Sequence, residues 1–137
     1  MTKEDKELLL KDLCARLPHG LIIDRLGVPR KVLAINPYNY SNNNASLLLD
    51  RGEYMPSWCW IDDVKPYLRP MSSMTEEEKE LCNGGIICYN EFEGNSTLFD
   101  VEGLDYLNKN MFDYRGLIPK GLALIAPDGM YKVEEQQ

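Results

Sequence analysis

The chain holds few side chains that do chemistry. His19 is its one histidine, so a Cys–His or Ser–His pair would have to use it. Cys14 stands five residues earlier, across the end of a helix. That spacing is no nucleophile signature, and a histidine between Pro18 and Gly20 reads as an exposed turn residue. The four cysteines, at 14, 59, 82 and 88, show no Cys-x-x-Cys spacing, so no zinc site is expected. Asp62-Asp63 with Glu53, or Asp24 with Asp50, could be paired carboxylates for acid–base or Mg²⁺ chemistry if the fold brought them together. At turns and strand ends such groups usually just sit in water. Neither Gly-x-x-x-x-Gly-Lys-Ser/Thr nor Gly-x-Gly-x-x-Gly occurs, and Gly84-Gly85 precedes a strand-like run rather than a helix, so a phosphate cradle has no support. No catalytic residue, metal ligand or cofactor is expected.

A second group of residues suits binding. Tyr38, Tyr40, Tyr54, Trp58 and Trp60 crowd one stretch, and Trp58 and Trp60, two apart, share a face if they lie on a strand. Arg25, Arg30, Lys31 and Arg51 fall near the same turns. Such a patch can take an extended peptide, a stacked base or an anionic nucleotide. The competing reading makes the tryptophan pair a cover for the core and the tyrosines exposed loop residues. The candidate ligand- or partner-binding residues are Arg30, Lys31, Tyr38, Tyr40, Arg51, Trp58 and Trp60.

The elements that would position them follow from punctuation and periodicity. Thr2 to Leu17 reads as a helix capped by Thr2, with Leu9, Leu10, Leu13 and Leu17 on one face, Leu8 and Cys14 beside them, and Pro18 as the stop. Leu21–Asp24 and Arg30–Asn36 make a hairpin around Leu26-Gly27-Val28-Pro29. Residues 36–44 form an Asn- and Ser-rich loop. Ala45–Leu49 and Ser57–Ile61 are further strands about a turn at 50–53, and 62–68 is expected to leave the sheet. Short strands with tight turns suggest a small antiparallel SH3-like barrel or curled sheet. Beyond it, Thr75 with Glu78 forms a capping box for a helix that stops near Cys82, at Asn83-Gly84-Gly85. Strands at 86–89 and 96–99 flank a polar loop. Asp100 can cap another helix through Val101, Leu104, Leu107 and Met111. Short apolar runs at 117–119 and 122–125 follow, and a frayed tail runs from 134 to 137. The expected fold is α+β in a single domain: an N-terminal helix over residues 1–18, a barrel-like sheet over 19–70, and an acidic helix–strand–helix extension over 71–137.

Composition bounds the rest. The 137 residues are 44% apolar, enough for a core. No apolar run approaches the roughly 20 residues that span a bilayer. The charged start has no signal-peptide core, so a cytoplasmic location with reduced thiols is expected; pairing of Cys82 with Cys88 remains open by spacing. Net charge is −7 and uneven, +1 over residues 1–70 and −8 over 71–137. The acidic half disfavours nucleic acid, whose affinity rests on neutralising phosphates. It suits solubility or a basic partner surface. No membrane contact is expected, and short exposed strands favour a homodimer through edge pairing.

Three blocks carry a resemblance: Leu13-Cys14-Ala15-Arg16-Leu17-Pro18, the run Val64-Lys65-Pro66-Tyr67-Leu68-Arg69-Pro70-Met71-Ser72-Ser73-Met74-Thr75-Glu76-Glu77-Glu78, and Leu107 to Ile118 with Phe112-Asp113-Tyr114-Arg115-Gly116 at its heart. They resemble a family of small uncharacterised proteins encoded by anaerobic gut bacteria and by their phages and prophages. Tyr106 and Met111 stand where that family leads one to expect an aromatic and a histidine, which argues against a metal or catalytic role for this helix. The resemblance implies a setting, a mobile-element accessory protein, rather than a chemistry. Three functions are then in contention. The first is a non-enzymatic binding protein that contacts a host protein. The second is an anti-defence protein that sequesters a small anionic nucleotide signal. The third is a small hydrolase, for which no motif is present.

Overall fold

The computed structural model describes residues 1–39, 44–82, 86–88, 97–99 and 101–131. Helix α1 spans Lys3–Arg16, and the Thr2 hydroxyl accepts the Asp5 N–H at 3.0 Å, so the expected cap forms. Leu9 and Leu13 are fully buried, with Leu8, Leu10 and Leu17 partly so. Cys14 is exposed. Asp12 and Arg16 are also fully buried on the inward face, where an apolar periodicity does not show them. A 3₁₀ turn at Leu17–His19 and a left-handed Gly20 then turn the chain into the sheet.

Strands β1 (Ile22–Arg25) and β2 (Val28–Asn39) are joined by two residues, Leu26 and Gly27, both at positive φ. That is the geometry of a tight type I′ hairpin, whose twist matches that of the strands it joins. The turn is therefore shorter than the four residues expected, and Val28 and Pro29 are already paired, with Arg25 and Asp24. Strands β3 (Asn44–Arg51) and β4 (Tyr54–Trp60) follow as a second hairpin. A 3₁₀ turn at Ile61–Asp63 leads into β5 (Val64–Leu68), which pairs antiparallel with β1. Residues 64–68 thus stay in the sheet, contrary to expectation. Val64, Pro66 and Leu68 are buried in strict alternation, a strand period that Pro66 obscures. At Pro66 the strand pairs on one side only, with Ile23, and one-sided pairing is where a strand tolerates proline.

Helix α2 (Glu76–Cys82) opens with the expected box. The Thr75 N–H donates to Glu78 and the Glu78 N–H to Thr75 Oγ1. Strands β6 (Ile86–Cys88) and β7 (Thr97–Phe99) pair in a small separate sheet, and α3 spans Val101–Lys109. Strand β8 (Leu124–Ile125) runs parallel to β5. The main sheet has six strands in the order β4-β3-β2-β1-β5-β8, antiparallel except for its last pair. The protein is α+β with a curled sheet. The sheet is unclosed, with β4 and β8 as its outer strands, so of the two forms expected the closed barrel is not the one observed.

The core lies between the sheet's inner face and α1: Leu21, Ile23, Val32, Leu47, Leu49, Ile61, Val64 and Leu68 against Leu9 and Leu13. Fully burying such a side chain contributes about 1.5–3 kcal/mol. A second cluster of Met74, Leu107 and Phe112 sits under α2 and α3. Among the described residues no helix is long and apolar enough to cross a membrane. The expected Asp100 cap, the Cys82–Cys88 pairing and the tail at 134–137 lie outside the described residues or side chains.

Candidate functional site

The register decides which candidates meet. Leu47 pairs with Cys59 and Leu49 with Ser57, while Ser46 pairs with Trp60 and Leu48 with Trp58. Paired residues share a face and alternate residues oppose it. Cys59 is buried with Leu47 and Leu49, so Trp58 and Trp60 lie on the opposite, outward face. They do not cover the core; Trp58 is 53% exposed. Both line a cavity of about 610 Å³ that also takes in Ser46, Asn36, Cys59, Arg25 and Asp63.

The basic candidates follow the inner face to its end. Arg25 pairs with Val28 and Arg30 with the buried Ile23, so both arginines continue the interior rows of β1 and β2. Arg51 occupies the same row at the end of β3. Along each of these strands the apolar residues give way to arginine at the hairpin end. There Arg25, Arg30 and Arg51 line a cavity of about 380 Å³ together with Leu26, Val28, Leu49 and Ser57. Lys31, opposite Ile22, points to the other face and does not join them. The Arg51 guanidinium lies 5.7 Å from the centre of the Tyr54 ring. Tyr40 lies outside the described residues, and so does the side chain of Tyr38, whose backbone belongs to β2.

Arg25 is the residue the candidate set omitted. It lines both cavities, and its Nε is buried with no hydrogen-bond partner among the described residues. The sequence signal was its place beside a two-residue turn, in phase with Leu21 and Ile23, where an apolar residue would be expected. Burial pushes the Cys59 thiol above its ordinary value, with Arg25 pulling it down and Asp63 pushing it up. The thiol therefore sits within the field of both charges, in its protonated form.

Three of the carboxylates are engaged locally. Asp62 binds Lys6 at 3.2 Å and accepts from Asn44 Nδ2. Asp24 accepts from the Tyr67 hydroxyl and the Gly27 N–H. Asp50 accepts the Gly52 N–H, which tightens the β3–β4 turn. His19 is exposed in its turn. Among the described residues no three His, Cys, Asp or Glu side chains come together as a metal site.

The three sequence blocks meet in a network of their own. Arg16 makes a two-point ion pair with Asp12, at 2.8 and 3.0 Å, and donates to the Phe112 carbonyl at 2.6 Å. Asp12 also accepts from Arg115 Nε, and Arg115 donates to the Tyr114 hydroxyl, which donates to Asn108. Arg69 pairs with Glu78, stacks 4.1 Å from the Phe112 ring centre, and exchanges backbone hydrogen bonds with Met111 and Asp113. Asp113 accepts the N–H groups of Leu117 and Ile118. These blocks form the frame; the exposed aromatics and the arginines of the hairpin end lie on the strands between them.

No family model, curated protein or solved structure matches the chain.

Proposed function

We propose that the protein is a non-enzymatic binding protein of phage or mobile-element origin that acts through protein–protein contact. The occupant is an extended segment of a host protein, added as a strand along β4. The observation that carries this reading is the character of β4. It is an outer strand of the six-stranded sheet, and Tyr54, Met55 and Trp58 on it are exposed. An exposed apolar edge invites pairing by another chain, and native proteins normally charge, shorten or cover one. Here Pro56 and the shift in register between Leu49 and Arg51 interrupt only the first half of β4. Ser57 to Trp60 stays regularly paired to β3 on its inner side, with the Trp58–Trp60 cavity to receive a side chain of the added strand. Strand addition takes its affinity from main-chain hydrogen bonds and its selectivity from such side-chain pockets. The origin follows the resemblance of the three blocks.

A photo-crosslinking amino acid at Tyr54, followed by mass spectrometry of the product, tests this. The reading expects a host protein that, purified on its own, binds the wild-type chain and binds the Trp58→Lys variant at least about tenfold more weakly. A product of twice the chain's mass makes the occupant a second copy of the chain. Crosslinks to no defined protein, or binding unaffected by Trp58→Lys, overturn the reading.

A further inference from the structure

We infer that the hairpin end of the sheet is an anion site for a small phosphate-bearing ligand with a flat ring, a nucleotide, whose phosphate is held by Arg25, Arg30 and Arg51 and whose base stacks on Trp58. This goes beyond the protein-contact reading: it shares Trp58 with that reading but rests on Arg25, Arg30 and Arg51, which lie inside the curl rather than along its edge.

Three observations carry it. The first is convergence of like charge. Arg25, Arg30 and Arg51 line one cavity, although the chain carries a net charge of −7. None of the three has an acidic partner within ion-pair distance among the described residues; the ion pairs there belong to Lys6, Arg16, Arg69, Lys79 and Arg115. Gathering three guanidinium groups costs self-repulsion, which an anion between them would reverse.

The second is the buried Nε of Arg25, which donates to nothing among the described residues. A buried donor left unmet is costly. The groups that satisfy a guanidinium best are the oxygens of phosphate or carboxylate, approached along two N–H bonds.

The third is the shape of the surroundings. The arginine cavity is bounded by Leu26, Val28 and Leu49, and Arg25 also lines the cavity that holds Trp58 and Trp60. A ligand gripped at Arg25 thus has an aromatic wall on one side and cations on the other. Their volumes, about 380 and 610 Å³, fall in the range of roughly 300–1,000 Å³ common for small-molecule sites. A base stacked on an exposed ring adds affinity, so ring and phosphate together decide the ligand. A long polyanion is the poorer match, because the acidic half of the chain repels successive phosphates.

Trp58 and Trp60 are the only tryptophans, so intrinsic fluorescence reports on the site directly. Titration of the full chain with inorganic phosphate, ribose 5-phosphate, AMP and ATP is expected to quench tryptophan emission with the nucleotides. They should bind at least about tenfold more tightly than ribose 5-phosphate, which lacks the base. Arg25→Gln is expected to abolish binding, and Arg51→Gln, at an exposed position, to weaken it about tenfold while leaving the circular dichroism spectrum unchanged. Trp58→Ala should remove the advantage of AMP over ribose 5-phosphate and leave phosphate binding intact. Calorimetry showing no nucleotide binding at millimolar concentration would falsify the site. Affinity unchanged in Arg51→Gln also overturns it, and an oligonucleotide binding more tightly than any mononucleotide overturns its restriction to small ligands. Loss of binding in these arginine variants while the crosslinked partner still binds separates this site from the β4 edge.

Discussion

Arg16 Nη2 donates to the carbonyl oxygen of Phe112 at 2.6 Å, across 96 residues of sequence. The guanidinium is fully buried and also holds both oxygens of Asp12. One side chain therefore satisfies a buried carboxylate on its own helix and a buried carbonyl from the segment after α3. Taking a charge out of water costs several kcal/mol, recovered only when geometry is good and every donor is used.

Removing one partner should accordingly be severe. Arg16→Met is expected to destabilise the fold by up to about 3–5 kcal/mol, because it leaves the buried Asp12 carboxylate with Arg115 alone and the Phe112 carbonyl without this donor. Arg16→Lys should recover less than half of that, since an ammonium cannot span the carboxylate and the carbonyl as a planar fork does. Urea unfolding of the three proteins checks both; equal stability of Arg16→Met and wild type refutes the role.

The same pair explains what was legible in the sequence. Helix α1, the β1–β2 and β3–β4 hairpins and the Thr75–Glu78 box each depend on residues within a few positions of one another, and each was read from local pattern. Local pattern does not single out Asp12 and Arg16, because their partners, Phe112 and Arg115, lie about a hundred residues away. Strand β5 is hidden in the sequence because Pro66 masks an alternation that only pairing with β1 makes meaningful. Residue type and nearness to turns point to Arg30, Arg51, Trp58 and Trp60 but cannot tell the inner from the outer face. The short turn at Leu26-Gly27 and the register shifts of β2 and β4 set the phase that puts arginines inside and tryptophans outside.

Glu78 gives a pH dependence of defined sign. Burial pushes its carboxyl up, but the Thr75 N–H and the Arg69 guanidinium outweigh that and hold it below its ordinary value. A carboxyl lowered in the folded state contributes stability above its unfolded pKa, about 4.3, and that contribution is lost as pH falls through the folded value. Glu78→Gln should therefore lower the unfolding midpoint at neutral pH. The gap to wild type should shrink as pH falls below about 4. A gap that stays constant or widens on acidification contradicts the assigned pairing.

Leu26 is the reverse case, a residue at odds with its place. It holds φ 55° at the first position of the hairpin turn and is 81% exposed. A branched side chain pays about 1–2 kcal/mol there, a cost asparagine largely avoids. Leu26→Asn is expected to raise stability by about 0.5–1 kcal/mol, seen as a higher melting temperature. Because Leu26 also borders the arginine cavity, the same variant should bind AMP more weakly. A variant gaining neither stability nor a change in affinity removes the turn from both arguments.

Tyr131 ties the end of the described chain back to the sheet. Its hydroxyl accepts the Ile22 N–H at 2.9 Å and lies 2.9 Å from the carbonyl oxygens of Ile22 and Tyr67, one of which takes its proton. Burial pushes this hydroxyl far above its ordinary value, so at neutral pH it is a neutral donor and acceptor. Strand β8 adds only the pairs Tyr67–Leu124 and Leu68–Ile125, too few to hold that edge alone. Tyr131→Phe keeps the ring but leaves the Ile22 N–H and one carbonyl unmet, which should cost about 1–3 kcal/mol. Hydrogen exchange locates the effect: the amide of Ile22 should lose protection, while those of β3 and β4, at the far side of the sheet, keep theirs. A uniform loss across all strands would mean that the C-terminal segment is not a separable clamp on the sheet.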